Sequence, residues 1–153
     1  LALLLSYLDY YSSESADNTK PGEDYPSGLV TPKSLYNVFS SLYLSTVLEP
    51  ASSEYILASL TDTVFDINTL AELPSNVTVA HKFAMKYDGK EQYLHDCGIM
   101  YIDTMRVFYC VMTEGMGKDE AAHHIGTIVN GIYNYVTATR NTLDEYKELY
   151  DFD

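Results

Sequence analysis

The hydrophobic period of this chain changes at Val77, and that change orders its elements. Upstream, apolar residues recur at helical spacing. From Val77 they alternate in a β-branched run, Val77-Thr78-Val79-Ala80-His81-Lys82-Phe83-Ala84, which reads as a strand. Leu94 to Ile102 and Arg106 to Thr113 read as two more, leaving Asp103-Thr104 between them as a tight hairpin turn. A long closing helix is expected from about Asp119, as N-cap, to Thr139, with Ala121, Ala122, Ile125, Ile128, Val129, Ile132 and Val136 on its buried face. Helices, then strands, then one long helix make an α+β chain in which the last helix packs on an antiparallel sheet.

The helical part opens at Thr31, expected as N-cap, with Pro32 at the first helical position, where its missing N–H costs nothing. Leu35, Val38, Phe39, Leu42 and Tyr43 then form one apolar stripe. Pro50 opens a second, short helix with Tyr55, Ile56 and Leu60 expected inward, and Asp66 to Pro74 reads as a turn region. Before Thr31, residues 11–30 are rich in Ser, Pro, Gly, Asp and Asn and lack periodicity, which reads as a long loop of the kind that is often functional. Residues 1–10 open Leu1-Ala2-Leu3-Leu4-Leu5 and read as the end of a buried helix entered partway. They lack the basic leader and small-residue cleavage site of an export signal, and are far shorter than the ~20 apolar residues of a bilayer span. A larger protein that continues upstream of Leu1 is therefore expected.

Twenty-two acidic against nine basic residues give a net charge of −13. Such a field repels nucleic acid and anionic membrane surfaces, so neither is expected as a partner. No G-x-S-x-G elbow, phosphate loop, H-E-x-x-H or C-x-x-C is present. His123 and His124 are adjacent, and on a helix they diverge by about 100°, so no metal site and no cofactor is expected.

Chemistry concentrates on the three strands. His81-Lys82-Phe83-Ala84 lies on the first, His95-Asp96-Cys97-Gly98-Ile99-Met100-Tyr101 on the second, and Tyr109-Cys110-Val111-Met112-Thr113 on the third, with Thr31-Pro32 upstream. In this order and spacing, residues 25–138 resemble the end of class A β-lactamases and related penicillin-recognising serine hydrolases. The resemblance implies the C-terminal portion of one β-lactamase-like domain over residues 1–142, with an acidic tail over 143–153. It implies an acyl-enzyme mechanism on a β-lactam or peptidoglycan-like peptide, outside the cytoplasmic membrane. Lys82 then corresponds to the family's strand lysine, a fixed cation beside the substrate carboxylate, with His81, Phe83 and Ala84 lining the same substrate edge. Its bland alternative is a solvated strand lysine.

Two departures bear on activity. Phe83 stands where the family usually has a Thr or Ser hydroxyl, and Ala84 where it usually has Gly, which suggests an apolar, crowded edge beside the lysine. The nucleophile-bearing Ser-x-x-Lys occurs nowhere in the chain, so these residues alone are expected to be inactive. Glu14 and Asn18 resemble the loop residues that hold the deacylating water, or are ordinary solvated loop polarity. A non-catalytic relative that binds peptidoglycan-type peptides or a protein partner remains the alternative reading.

The cysteines allow a separate inference. If Asp103-Thr104 is a two-residue turn, Cys97 faces Cys110 in a non-hydrogen-bonded pair, where side chains are closest. They form either a cross-strand disulfide or two buried thiols.

Overall fold

The computed structural model describes residues 30–87 and 92–150, with side chains to residue 143. Helix α1 (Pro32–Tyr43) starts as the sequence demands. The Thr31 hydroxyl accepts from the Ser34 N–H at 3.1 Å and the Ser34 hydroxyl oxygen accepts from the Thr31 N–H at 2.9 Å, a reciprocal capping box. At the other end the Ser45 N–H reaches Leu42 O and the Thr46 N–H reaches Ser41 O, with Ser45 at φ 52°. This is a Schellman ending, with serine in the left-handed position that glycine usually takes. Phe39 and Leu42 are buried and Leu35 and Val38 half-buried, but Tyr43 is exposed.

Helix α2 (Pro50–Ser59) departs from expectation. Tyr55 is 74% exposed, while Ser53 is buried and Leu57 and Leu60 pack toward the core. The inward line is thus Ser53, Leu57, Leu60, which is also helical spacing. Two stripes were available in an apolar helix, and packing selected the one with a small residue at the contact. The turn region holds a short helix, α3 (Ile67–Leu70), which the sequence reading missed; Asp66 caps it by accepting from the Thr69 N–H at 3.0 Å.

The sheet is antiparallel, in the order β1 (Thr78–Tyr87), β2 (Gln92–Ile102), β3 (Met105–Glu114). The Asp103-Thr104 turn has two residues, and the register follows from it: Cys97 lies opposite Cys110 and Gly98 opposite Tyr109. Cys97 and Cys110 are joined as a disulfide with their Cα atoms 4.0 Å apart. Across the other seam Lys82 faces Cys97, and His81 faces Gly98. A Cβ on Gly98 would stand 2.5 Å from Ala80 O and 2.6 Å from the His81 Cβ, so glycine is what lets β1 and β2 close here.

Because strand side chains alternate, the sheet has two distinct faces. On one, Cys97 and Ile99 meet Phe39 of α1. On the other, Val79, Leu94, Met100 and Tyr109 meet Ile67 and the closing helix α4 (Lys118–Tyr150) through Ala121, Ile125 and Val129. Each fully buried Leu, Ile or Val here contributes roughly 1.5–3 kcal/mol. A Cβ on Gly126 would stand 2.3 Å from Leu70 O, so α3 and α4 touch backbone to side-chain face at that glycine. Ile128, expected on the buried face, is 46% exposed. Helix α4 begins one residue before Asp119, which with Glu120 lies in the first turn and opposes the dipole there. It also runs past Thr139 into the stretch read as an acidic tail, since no Gly or Pro follows Gly131 to stop it.

Candidate active site on the edge of the first strand

Strand β1 is an edge strand among the described residues. The His81 N–H points away from β2, because it donates to Leu60 O at 3.0 Å. Main-chain groups alternate along a strand, so those of Phe83 and Met85 also point outward, and no described strand pairs with them. Ala84 and Met85 are exposed. Lys82 is exposed beside this edge; its Nζ donates to Phe83 O at 2.9 Å and lies 5.3 Å from the Phe83 ring centroid. The lysine thus already satisfies an outward-facing carbonyl of the edge.

Phe83 itself turns inward. Its half-buried ring packs at 5.4 Å from that of Phe65 and against the core on the α4 side. The same ring flanks Lys82 Nζ, while Ala84 and Met85 stay exposed along the edge.

His81, expected beside substrate, is only 3% exposed and serves as a buried support. Its Nδ1 lies 2.7 Å from Asp96 Oδ1, and its Nε2 2.7 Å from the Thr63 hydroxyl. A carboxylate only accepts, which assigns a hydrogen to Nδ1. The other carboxylate oxygen accepts from the Tyr109 hydroxyl at 2.5 Å. Asp96 is fully buried, yet both its oxygens are satisfied, as a buried acid must be. Burial first, and then the adjacent Asp96 carboxylate, push the Tyr109 hydroxyl far above the usual phenol range, so it stays a donor. Gly98 sits between His81 and Tyr109 in the cross-strand row and leaves the space in which both converge on Asp96.

Thr63, Asp96 and Tyr109 were not singled out from the sequence. The available signal was Asp96 itself, an acid in phase with Leu94 and Met100 on a strand face that must be buried. Glu14 and Asn18 lie outside the described residues. His123 and His124 are both exposed on α4, and no cluster of metal-ligating side chains occurs among the described residues. No described helix is long and apolar enough to cross a membrane. An open cavity of about 520 Å³ lies between α1, α2 and the start of β1, lined by Leu42, Tyr43, Leu57, Thr78 and Tyr101. Thr78 is at the far end of β1 from Met85, so this cavity is separate from the open edge.

An antiparallel three-stranded sheet packed by one long closing helix is the α+β arrangement the sequence resemblance implied. The model of the β-lactamase enzyme family matches residues 9–136. The chain belongs to that family. Among solved structures, this β-lactamase-family chain is similar to PBP-A, with 16% identity and a TM-score of 0.59. It is also similar to a PBP-A mutant solved as an acyl-enzyme complex with penicillin G, with 17% identity and a TM-score of 0.57. Each alignment covers 85% of this chain and 50% of the other, so the chain spans about half the length of these structures. At that identity the likeness establishes the fold. No curated protein sequence matches the chain.

Proposed function

We propose that these residues are the lysine-bearing sheet portion of a penicillin-recognising serine acyl hydrolase. A serine upstream of Leu1 attacks an amide carbonyl, forms an acyl-enzyme, and passes the acyl group to water. An extended substrate pairs with the outward groups of Phe83 and Met85. Lys82 gives up Phe83 O and turns to the substrate carboxylate, a fixed positive charge beside the reacting carbonyl. Glu14 and Asn18 are the candidates for holding the deacylating water. The substrate is a β-lactam or a peptidoglycan-like peptide, and the protein works outside the cytoplasmic membrane. Residues 1–142 form the C-terminal portion of one domain, followed by the acidic stretch 143–153.

The observation that carries the reading is the β1 edge beside Lys82, which no described strand pairs, in a chain of this family. That a PBP-A mutant was captured with penicillin G makes a β-lactam the natural probe. The test is the coding sequence upstream of Leu1, in frame. A Ser-x-x-Lys followed by a Ser-x-Asn is expected, and an upstream region without them removes the hydrolase.

The second reading, a non-catalytic binder of peptidoglycan-type peptides or of a protein partner, is favoured by one observation. Phe83 brings no hydroxyl to the edge, and its ring is committed to Phe65. A binder keeps the edge pairing and the Lys82 charge, and takes no acyl group from a penicillin.

A further inference from the structure

The segment that joins α2 to α3 closes the β1 edge at a single register position, next to the lysine. Leu60 O accepts the outward His81 N–H, and the Thr63 hydroxyl meets His81 Nε2 while lying 3.1 Å from Phe65 O. A carbonyl only accepts, so the one hydroxyl hydrogen serves either Nε2 or Phe65 O and not both; either way the Thr63–His81 bond ties the segment to β1. From the other side Asp96 holds Nδ1, and Tyr109 holds Asp96. The main chain at His81 is thus gripped from the segment through its N–H and from the sheet interior through its ring. Two strands and the α2–α3 segment meet in this one side chain, and the third strand joins through Asp96. The next outward N–H along the edge is that of Phe83, two residues on, because pairing groups alternate.

We propose that Thr63 and His81 are positioning residues: they clasp the α2–α3 segment to β1, so that an extended ligand can pair with the edge only from Phe83 onward, beside Lys82. This rests on the reading above in which the β1 edge receives substrate. The clasp fills the pairing position at His81 with Leu60, whereas at Phe83 no described strand pairs and the carbonyl is held by Lys82 Nζ. Loosening it frees a second register in which the ligand slips by two residues and its carboxylate misses Lys82. Neither Thr63 nor His81 touches the ligand in this account.

Thr63→Val in the whole natural protein keeps the side-chain shape and removes the bridging hydroxyl, and Thr63→Ser restores it. Two readouts decide. In the absence of ligand, amide exchange at His81 is expected to quicken about tenfold in T63V, the scale of one lost hydrogen bond, and to return toward wild type in T63S. Exchange at Val111, on the β2–β3 seam, is expected to stay unchanged. No change at His81, or an equal change at both amides, overturns the clasp. With benzylpenicillin, T63V is expected to raise the half-saturating concentration about tenfold at a nearly unchanged maximal acylation rate, the mark of lost positioning in binding. Wild-type acylation parameters in T63V overturn the role in register. A wild-type protein that takes no acyl group overturns the substrate reading, and the exchange comparison then judges the clasp by itself.

Discussion

Tyr109→Phe removes one oxygen atom from the most buried polar cluster of the sheet. The phenol donates to a carboxylate that is fully buried, so the variant leaves one Asp96 oxygen without its partner. A hydrogen bond to a charged group contributes about 1.5–3 kcal/mol, and stranding a buried acceptor falls in the same range. A loss of about 2–3 kcal/mol is therefore expected near pH 8. For a chain of this size that lowers Tm by roughly 4–12 °C. Alkali separates this cause from simple loss of packing. The folded protein holds Tyr109 protonated well above the ordinary value of 10.0, whereas the unfolded chain releases that proton there. A group whose folded pKa is raised stabilises fully below its unfolded pKa and loses that contribution as pH climbs above it. Tyr109 should thus subtract about 1.4 kcal/mol per pH unit above pH 10 from wild type, a slope that phenylalanine lacks. Urea unfolding of both proteins at pH 8, 10 and 11 measures it. The gap between them should be widest at pH 8 and narrow by about 1.4 kcal/mol by pH 11. A Tm change below ~2 °C, or parallel alkaline slopes, would refute the reasoning that Tyr109 is a neutral donor to a buried carboxylate.

Three further outcomes follow from the packing. Gly98→Ala drives a Cβ into Ala80 O and the His81 backbone, atoms that cannot yield without opening the seam. It should cost about 3 kcal/mol or more, and an ordinary melting temperature would contradict the close approach. Asp66→Ala removes the cap of α3 and should cost about 1 kcal/mol. The Thr69 hydroxyl and N–H hold the Asp66 carboxyl below 3.8, so its contribution persists above that pH and fades as pH falls through the lowered value. D66A should accordingly converge on wild type in strong acid. Unreduced protein should show no alkylatable thiol by intact mass, and reduction should cost about 3 kcal/mol for the short loop closed by Cys97 and Cys110. Two alkylated cysteines without reductant would remove the bridge.

How much of this could be read from the residues depends on which interaction decides each element. The β2–β3 register was legible because a two-residue turn leaves one pairing, and alternation does the rest: Cys97 could face only Cys110. The start of α1 was legible because Thr31-Pro32 is a local signal. Tyr55 was misplaced because α2 is apolar on more than one side, and only tertiary packing chose Ser53 for the contact. The end of α4 lies past the expected Thr139 because the apolar stripe fades there while no Gly or Pro stops the helix, which runs to Tyr150. At the candidate site, the resemblance points to Lys82 and His81, but not to the partners that hold His81. His81, Asp96 and Tyr109 come from three strands, and Thr63 from a connection, so no spacing joins them. The direction of the Phe83 ring, toward Phe65 and yet beside Lys82 Nζ, is not legible because a sequence gives the residue and not its rotamer.

The hydrolase reading rests on an acyl transfer, and the most direct measurement is the intact mass of the whole natural protein after incubation with benzylpenicillin. The account expects one covalent acyl adduct on a serine upstream of Leu1, formed far more slowly when Lys82 is replaced by alanine. An unmodified mass at saturating benzylpenicillin would contradict it and leave the β1 edge as a binding surface.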